Sequence, residues 1–160
     1  MPIEGGQATG DFGAFYRAEY PGAVRLALAL TQWQDGSEDI VQESFAKVQP
    51  RFANLERPGG YLRVTVVNQC REAERRRRRE RRRLGRITPA GNALPDDEWE
   101  LLDLLSSLDY RPRAVLVLRY WAGWSEAEIA DALACRPGTV KSLAARALAK
   151  LRTELEVDGG

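Results

Sequence analysis

The residues best suited to chemistry near the end of this chain are hydrogen-bond donors in one amphipathic segment, residues 124–152. Thr139, Lys141, Ser142 and Arg146 stand among apolar residues that recur at helical spacing. Their hydroxyl, ammonium and guanidinium groups are the donors that phosphates and base edges accept. The segment indicates a DNA-binding helix, although short helix pairs also occur in ordinary α-helical cores.

Local signals divide this segment into two helices. Ser125, followed by Glu128 three residues later, forms a capping-box pattern that starts the first helix. Residues 134–136 break the pattern, and Pro137 suits the first turn of the second helix. The segment therefore predicts a helix-turn-helix whose second helix carries the donors.

A second group of cations lies upstream. Residues 63–86 contain eleven arginines and three glutamates, whereas the whole chain has a net charge of +1, so the remainder carries 13 basic and 20 acidic residues. Five of these arginines, 75–79, are consecutive and continue a helix predicted from about Gly60 to Arg83. Apolar residues in its first half, Leu62 and Val66 among them, would hold the arginines in a fixed register against phosphates. A disordered basic tail is the alternative.

Several classes of site are excluded by composition. The chain has no histidine, and its two cysteines, Cys70 and Cys135, lack metal-ligand spacing. Cys/His zinc sites, Ser-His-Asp triads and Cys-His pairs are therefore excluded, and we predict no metal and no cofactor. The polar first ten residues are not a signal peptide, and no apolar run could cross a bilayer. We expect a cytoplasmic protein with no membrane partner.

The remaining pattern predicts helices throughout the first part of the chain. We expect a frayed start over residues 1–10, a helix capped by Asp11, and a restart at Pro21. Ser37 is predicted to cap a third helix, and residues 52–60 are predicted to form a loop before the arginine helix.

The second part of the chain predicts helices from Glu98 to Leu108 and from Pro112 to Gly123, before the helix-turn-helix. No strand pattern is convincing, so the predicted fold class is all-α. We predict two small helical domains, residues 1–86 and 98–160, joined by a short linker at 87–97.

Three segments, taken in order, resemble bacterial RNA polymerase sigma factors of the sigma-70 family. They are SEDIVQESFAKV, YLRVTVVNQCREAERRRRRERR and RPRAVLVLRYWAGWSEAEIADALACRPGTVKS. The similarity covers about residues 11–155 and is greatest to the two-domain extracytoplasmic-function (ECF) group. It implies that the predicted domains are sigma domains 2 and 4. It also implies a protein that is not an enzyme, but binds core polymerase, recognises −35 and −10 promoter elements and promotes strand opening.

The resemblance assigns a polymerase-binding face to the third predicted helix. Asp39, Gln42 and Glu43 would contact the clamp helices of the largest polymerase subunit, and the flap of the second largest subunit is a further expected contact. Without the resemblance, these residues would be an ordinary exposed, acidic helix start.

For the −10 element, the resemblance makes residues 52–60 a loop that holds a flipped base. The residues expected to contact the opened −10 DNA are Asn54, Tyr61, Arg63, Asn68, Arg71, Arg75, Arg76 and Arg79. An aromatic ring such as Tyr61 can stack on an unpaired base, although it can equally belong to the core. The amide of Asn68 can pair with a base edge or cap a local turn.

For the −35 element, the resemblance assigns the start of the second helix of the helix-turn-helix. The expected contacts are Arg136, Gly138, Thr139, Lys141, Ser142 and Arg146. Two departures from the family pattern bear on this assignment. Leu143 and Ala144 replace an Arg and a Leu, which predicts a missing DNA contact. Ala134 replaces a turn glycine, which costs about 1 kcal/mol if that residue needs a positive φ.

Other partners and functions follow from the same pattern. The resemblance implies an anti-sigma factor as a partner, and it places the linker acids Asp96 and Asp97 near the RNA exit path. One alternative is a response-regulator-type transcription factor that binds duplex DNA alone. Another is a metal-dependent nuclease using Glu38, Asp39 and Glu43, but these acids lie on one helix without ligands from a second segment.

Overall fold

A computed structural model describes the backbone of residues 3–84 and 96–159, and the side chains of residues 11–81 and 100–159. Every regular element within these ranges is helical, which confirms the all-α prediction. The helices form two compact units, Met1–Thr88 and Pro89–Gly160. The predicted linker at 87–97 lies outside the described residues except for Asp96 and Asp97, which begin a helix.

The first unit contains helices α1 (Ile3–Thr31), α2 (Gln34–Val48) and α3 (Pro58–Leu84), with a short 3-10 helix (Gln49–Asn54) between α2 and α3. The second contains α4 (Asp96–Ser106), α5 (Tyr110–Leu116), a π-helical turn (Val117–Trp121), α6 (Glu126–Ala132) and α7 (Pro137–Asp158).

The core of the first unit lies where α1, α2 and α3 pack against one another. Leu26 and Leu30 of α1, Val41 of α2, and Val66 and Val67 of α3 are fully buried. Each such side chain contributes about 1.5–3 kcal/mol through its removal from water. This core fixes which sides of α2 and α3 remain exposed.

The first helix corrects three predictions. Instead of a frayed start, a cap at Asp11 and a break at Pro21, a single helix runs from Ile3 to Thr31. A proline normally disrupts a helix interior, because its ring clashes with the preceding turn and it lacks an N–H. Here Pro21 is exposed, and packing on both sides of it, by Phe15 and Leu26, holds the two halves in one helix.

The start of α2 also differs from the prediction. The helix begins at Gln34, with Trp33 as the preceding residue, so Ser37 lies inside the helix and is buried. Its hydroxyl donates to the Trp33 carbonyl oxygen and contacts the Thr31 hydroxyl at 3.3 Å. Ser37 therefore stabilises the corner between α1 and α2 (residues 31–37) instead of capping a helix.

Two predicted boundaries shift for local reasons. The loop expected at residues 52–60 is shorter, because Gln49–Asn54 is a 3-10 helix and α3 already begins at Pro58. Similarly, α5 begins at Tyr110, two residues before Pro112, since proline fits the first turn of a helix as well as its start.

Candidate nucleic-acid and polymerase interfaces

The helix-turn-helix in the second unit is built as its sequence predicts. The Glu128 amide donates to the Ser125 hydroxyl, and the Ser125 amide donates to the Glu128 carboxylate, both at 3.1 Å. The backbone hydrogen bond from Ser125 lowers the pKa of Glu128, and the side-chain bond adds to the shift. Pro137 begins α7. Local hydrogen bonding and backbone geometry thus determine where each of the two helices of the motif begins.

Ala134 has the left-handed conformation that the sequence raised as a possibility. Its φ is +51°, so it stands in strained backbone that glycine adopts freely. Buried side chains on either side, Ile129, Leu133 and Val140, press α6 against α7 and hold the turn in this shape. Packing therefore compensates for an unfavourable residue in the turn.

The predicted −35 residues lie together at the beginning of α7. Arg136, Gly138, Lys141, Ser142 and Arg146 are exposed. Thr139 is half-buried, and the Ser142 hydroxyl donates to the Gly138 carbonyl oxygen at 3.1 Å. The motif thus presents a compact cationic and hydroxyl-bearing surface on a helix whose opposite side is core.

The departures at Leu143 and Ala144 lie on the buried side of α7. Leu143 and Ala144 are buried, with 7% and 5% of their surface exposed, and they belong to the α7 core stripe. Position 143 faces the interior here, and the loss of a DNA contact stays a prediction. Sequence comparison identified the change but could not show which side of α7 carries it.

An exposed stripe on α3 contains half of the predicted −10 residues. Leu62, Val66, Val67 and Cys70 are buried on one side, and burial raises the pKa of the Cys70 thiol, which keeps it protonated. On the other side, residues 68, 71, 75 and 79 recur at helical spacing.

In that stripe, Asn68, Arg75 and Arg79 are exposed and Arg71 is half-buried. Arg63 and Arg76 are also exposed on α3. Glu72 lies 3.8 Å from Arg76 and 3.9 Å from Arg79. These are exposed pairs of small energetic value, so they leave the arginines able to exchange a carboxylate for a phosphate.

Asn54 and Tyr61 lie on either side of the connection between the 3-10 helix and α3. Asn54 is exposed and Tyr61 is half-buried. The 3-10 helix is anchored by Phe52, whose ring centroid lies 5.4 Å from that of Phe12 and 5.1 Å from that of Phe15. Aromatic pairs at this separation attract beyond their buried area, so the position of Asn54 is fixed through Phe52.

The predicted polymerase-binding residues occupy one exposed face of α2. Asp39, Gln42 and Glu43 are all exposed, whereas Ile40 and Val41 are buried on the opposite side. Near this face, burial raises the pKa of Tyr20, the charge of Glu38 adds to the shift, and a hydrogen bond with Gln42 opposes it. The opposite, buried side of α2 packs against α1 and α3.

One arginine of the consecutive run does not share the exposed surface. Arg77 is half-buried, with its guanidinium carbon 4.5 Å from the ring centroid of Trp33. Burial lowers the pKa of Arg77, the neighbouring Arg81 adds to this, and Glu74 and Glu80 oppose it. No sequence signal indicates this, because a run of five identical residues does not show which one turns inward.

The part of the chain that the structure describes offers no site for the nuclease alternative. Within those residues, no three His, Cys, Asp or Glu side chains come together as a metal site would require. Cys70 and Cys135 are both free thiols. Among the described helices, none has the length and apolar character needed to cross a membrane.

Comparison with known proteins identifies the family. A family model for sigma-70 region 4 matches residues 98–151. The RNA polymerase sigma-E factor of Streptomyces coelicolor is 32% identical over 152 residues, which cover 91% of this chain and 86% of that relative. The ECF RNA polymerase sigma factor SigL of Mycobacterium tuberculosis is 33% identical over 144 residues, covering 82% of this chain and 81% of SigL. The chain belongs to the ECF sigma factors.

A solved structure agrees with this assignment. The sigma factor RpoE of Bartonella quintana, crystallised with the anti-sigma factor NepR, matches with a TM-score of 0.70 and 25% sequence identity. The match covers 92% of this chain and 98% of that chain. As an ECF sigma factor, this protein acts in promoter recognition and transcription initiation. The response-regulator alternative fails because the relatives match across both units, beyond the helix-turn-helix.

Proposed function

We propose that this ECF sigma factor divides promoter recognition between three surfaces. The exposed face of α2 (Asp39, Gln42 and Glu43) binds the clamp helices of core polymerase. The start of α7 reads the −35 element in duplex DNA, and the exposed stripe of α3 holds the opened −10 strand. The α3 stripe supports this proposal most strongly. The Asn68 amide and the arginines lie on the exposed side of a helix whose opposite side is buried in the core.

Strand opening in this proposal needs no catalytic residue. A pocket that binds an extruded base better than the stack does is sufficient, since flipping costs only a few kcal/mol. Asn54 and Tyr61 flank the connection where the family holds such a base, and Asn68 lies further along α3. We therefore propose a protein that is not itself an enzyme and needs no metal or cofactor.

The arginines of α3 supply affinity without sequence information. Each phosphate that they neutralise lowers the slope of log K against log salt by about 0.7 on single-stranded DNA. Arg63, Arg71, Arg75, Arg76 and Arg79 would position the strand, while base edges at Asn68 and stacking at Tyr61 would select sequence. Binding of the opened promoter should consequently depend steeply on salt.

The remaining partners follow from the family. We infer an anti-sigma factor that covers one or more of these surfaces, since the similar RpoE was crystallised with one. The flap of the second largest polymerase subunit is a further inferred contact for the second unit. We also infer a cytoplasmic location, where polymerase and promoter are found, and passage of Asp96 and Asp97 near the RNA exit path.

Charge reversal on α2 tests the polymerase-binding surface. The double variant Asp39→Lys and Glu43→Lys should reduce affinity for core polymerase by about tenfold or more, since close like-charge contacts cost several kcal/mol. Far-UV circular dichroism should stay unchanged, because both residues are exposed. The control Asp11→Lys with Glu56→Lys makes the same charge change at exposed residues elsewhere in the unit. Equal binding by both double variants would reject the α2 surface.

A further inference from the structure

The corner between α1 and α2 contacts the arginine helix through Arg77 and Trp33. The Arg77 guanidinium lies over the Trp33 ring, and one of its nitrogens, Nη1, donates to the Thr31 carbonyl oxygen at 3.4 Å. Thr31 is the last residue of α1, where unpaired carbonyl groups accept hydrogen bonds and favour a cation. A single arginine of α3 thus engages the ends of both neighbouring helices.

Other interactions hold the corner rigid around this contact. The Trp33 amide donates to the Thr31 hydroxyl at 3.1 Å, and that hydroxyl donates to the Ala27 carbonyl oxygen at 2.8 Å. The buried Ser37 hydroxyl bonds to the Trp33 carbonyl oxygen. The backbone of Trp33 is therefore held by hydrogen bonds that do not involve Arg77.

Gly36 also lies close against the Trp33 ring. A Cβ atom added to Gly36 would lie 2.2 Å from two carbon atoms of the Trp33 ring, a separation that real atoms do not adopt. The indole therefore lies against both the Gly36 backbone and the Arg77 guanidinium group. Only glycine at position 36 allows the ring to lie where Arg77 contacts it.

From these contacts we infer that Arg77 is a positioning residue that holds the arginine-rich half of α3 in the rotation that the core sets, and not a DNA ligand. With Arg77 turned inward against Trp33, helical spacing turns Arg75, Arg76 and Arg79 outward. The same contact links the start of α2 to α3. The start of α2 precedes the proposed polymerase-binding face, and α3 carries the proposed DNA-binding stripe. This inference rests on the proposed −10 surface for its effect on DNA binding. The contact between Arg77 and Trp33 does not depend on that proposal.

Arginine suits this role better than lysine. A planar guanidinium stacks on an aromatic ring while its edge donates to a carbonyl group, whereas an ammonium group cannot do both in this geometry. Arg77→Lys therefore keeps the positive charge but loses the stacking. This variant separates a positioning role from a simple charge contribution.

The test measures the corner and DNA binding separately. In the full chain labelled with fluorotryptophan, the Trp33 resonance is identified by its loss in Trp33→Phe. Arg77→Lys and Arg77→Gln should shift that resonance, whereas the matched variants Arg76→Gln and Arg79→Gln should not. In holoenzyme bound to forked promoter DNA, Arg76→Gln should make the salt slope less steep by about 0.7, because one phosphate contact is lost, whereas Arg77→Gln, which removes the same charge, should leave the slope unchanged.

A double-mutant cycle covers the case in which Arg77→Gln fails to fold. The unfolding constant of the Arg77→Lys, Trp33→Phe double variant should be about threefold smaller than the product of the two single effects predicts. The reason is that either substitution alone already removes the stacking. Multiplicative effects, or an Arg77→Gln protein with an unmoved Trp33 resonance and a reduced salt slope, would overturn the inference. If Arg76→Gln and Arg79→Gln leave the slope unchanged, the −10 surface fails, while the Trp33 resonance still decides the role of Arg77.

Discussion

The Nζ atom of Lys141, near the start of α7, lies 3.8 Å from the Oε2 atom of Glu126 at the start of α6. The other oxygen of that carboxylate accepts a hydrogen bond from Arg119 at 3.0 Å. Glu126 therefore places a negative charge at the edge of the surface proposed to meet the −35 element. The side chain of Lys141 is 70% exposed, so the pair orders it little.

Replacing Glu126 by Gln should strengthen binding of holoenzyme to a promoter with an intact −35 element by about two- to threefold at low salt. The reason is that the carboxylate repels phosphates more than it organises Lys141. Equilibrium titration at several salt concentrations measures the effect. Glu156→Gln, which removes the same charge from the far end of α7, should leave affinity unchanged. Weaker binding by Glu126→Gln would mean that the carboxylate positions Lys141 instead.

Replacing Ala134 by Gly should stabilise the protein by about 0.5 kcal/mol. Relief of left-handed backbone strain is worth about 1–2 kcal/mol, and the greater freedom of glycine in the unfolded chain offsets about 0.4–1 kcal/mol of it. Ala134 is exposed, so little packing is lost. The measurement is chemical denaturation followed by circular dichroism.

The control for this prediction is Ala145→Gly, in the exposed interior of α7, which should destabilise by about 1 kcal/mol. Destabilisation of equal size by both substitutions would show that Ala134 is not strained.

Replacing Gly138 by Ala tests whether the backbone of α7 approaches DNA closely. A Cβ atom added there meets nothing within 4 Å, so the fold should keep or gain stability, by up to about 1 kcal/mol. We nevertheless expect severalfold weaker binding to a promoter that depends on its −35 element. Gly22→Ala is the matched control, because its Cβ atom also meets nothing within 4 Å. Full promoter affinity in Gly138→Ala would indicate that no DNA atom lies against this glycine.

Replacing Asn68 by Ala should impair promoter opening more than polymerase binding. Asn68 is exposed on α3, so its amide is available to a base edge and its loss should not disturb the core. Permanganate reactivity of −10 thymines reports opening, and competition binding reports affinity for core polymerase. An equal loss in both assays would point to a structural role for Asn68.

Local rules in the sequence were sufficient wherever a short segment determines its own geometry. Ser125 and Glu128 predicted the capping box, and Pro137 predicted the start of α7. The apolar side in the first half of residues 60–83, continued by the arginine-rich second half, predicted a long anchored helix. Each of these depends on residues within one or two helical turns. The family resemblance, which uses the order of several such segments, was confirmed for the same reason.

Tertiary packing determined what the sequence could not predict. Pro21 is accommodated because core contacts on both sides hold α1 together, and Ser37 is buried because the α1–α2 corner closes over it. Arg77 turns inward only because Trp33, 44 positions earlier, lies beside it. Likewise, the burial of Leu143 depends on how α7 packs in the second unit. A run of identical or similar residues carries no information about which member faces the core.

Run-off transcription is the most direct test of the central claim that this protein directs promoter-specific initiation. Purified core RNA polymerase would be incubated with a library of candidate promoters, with and without the protein. Transcripts that appear only with the protein, from start sites sharing −35 and −10 sequences, are the predicted result. No transcripts, together with sequence-specific binding of duplex DNA by the protein alone, would contradict the account.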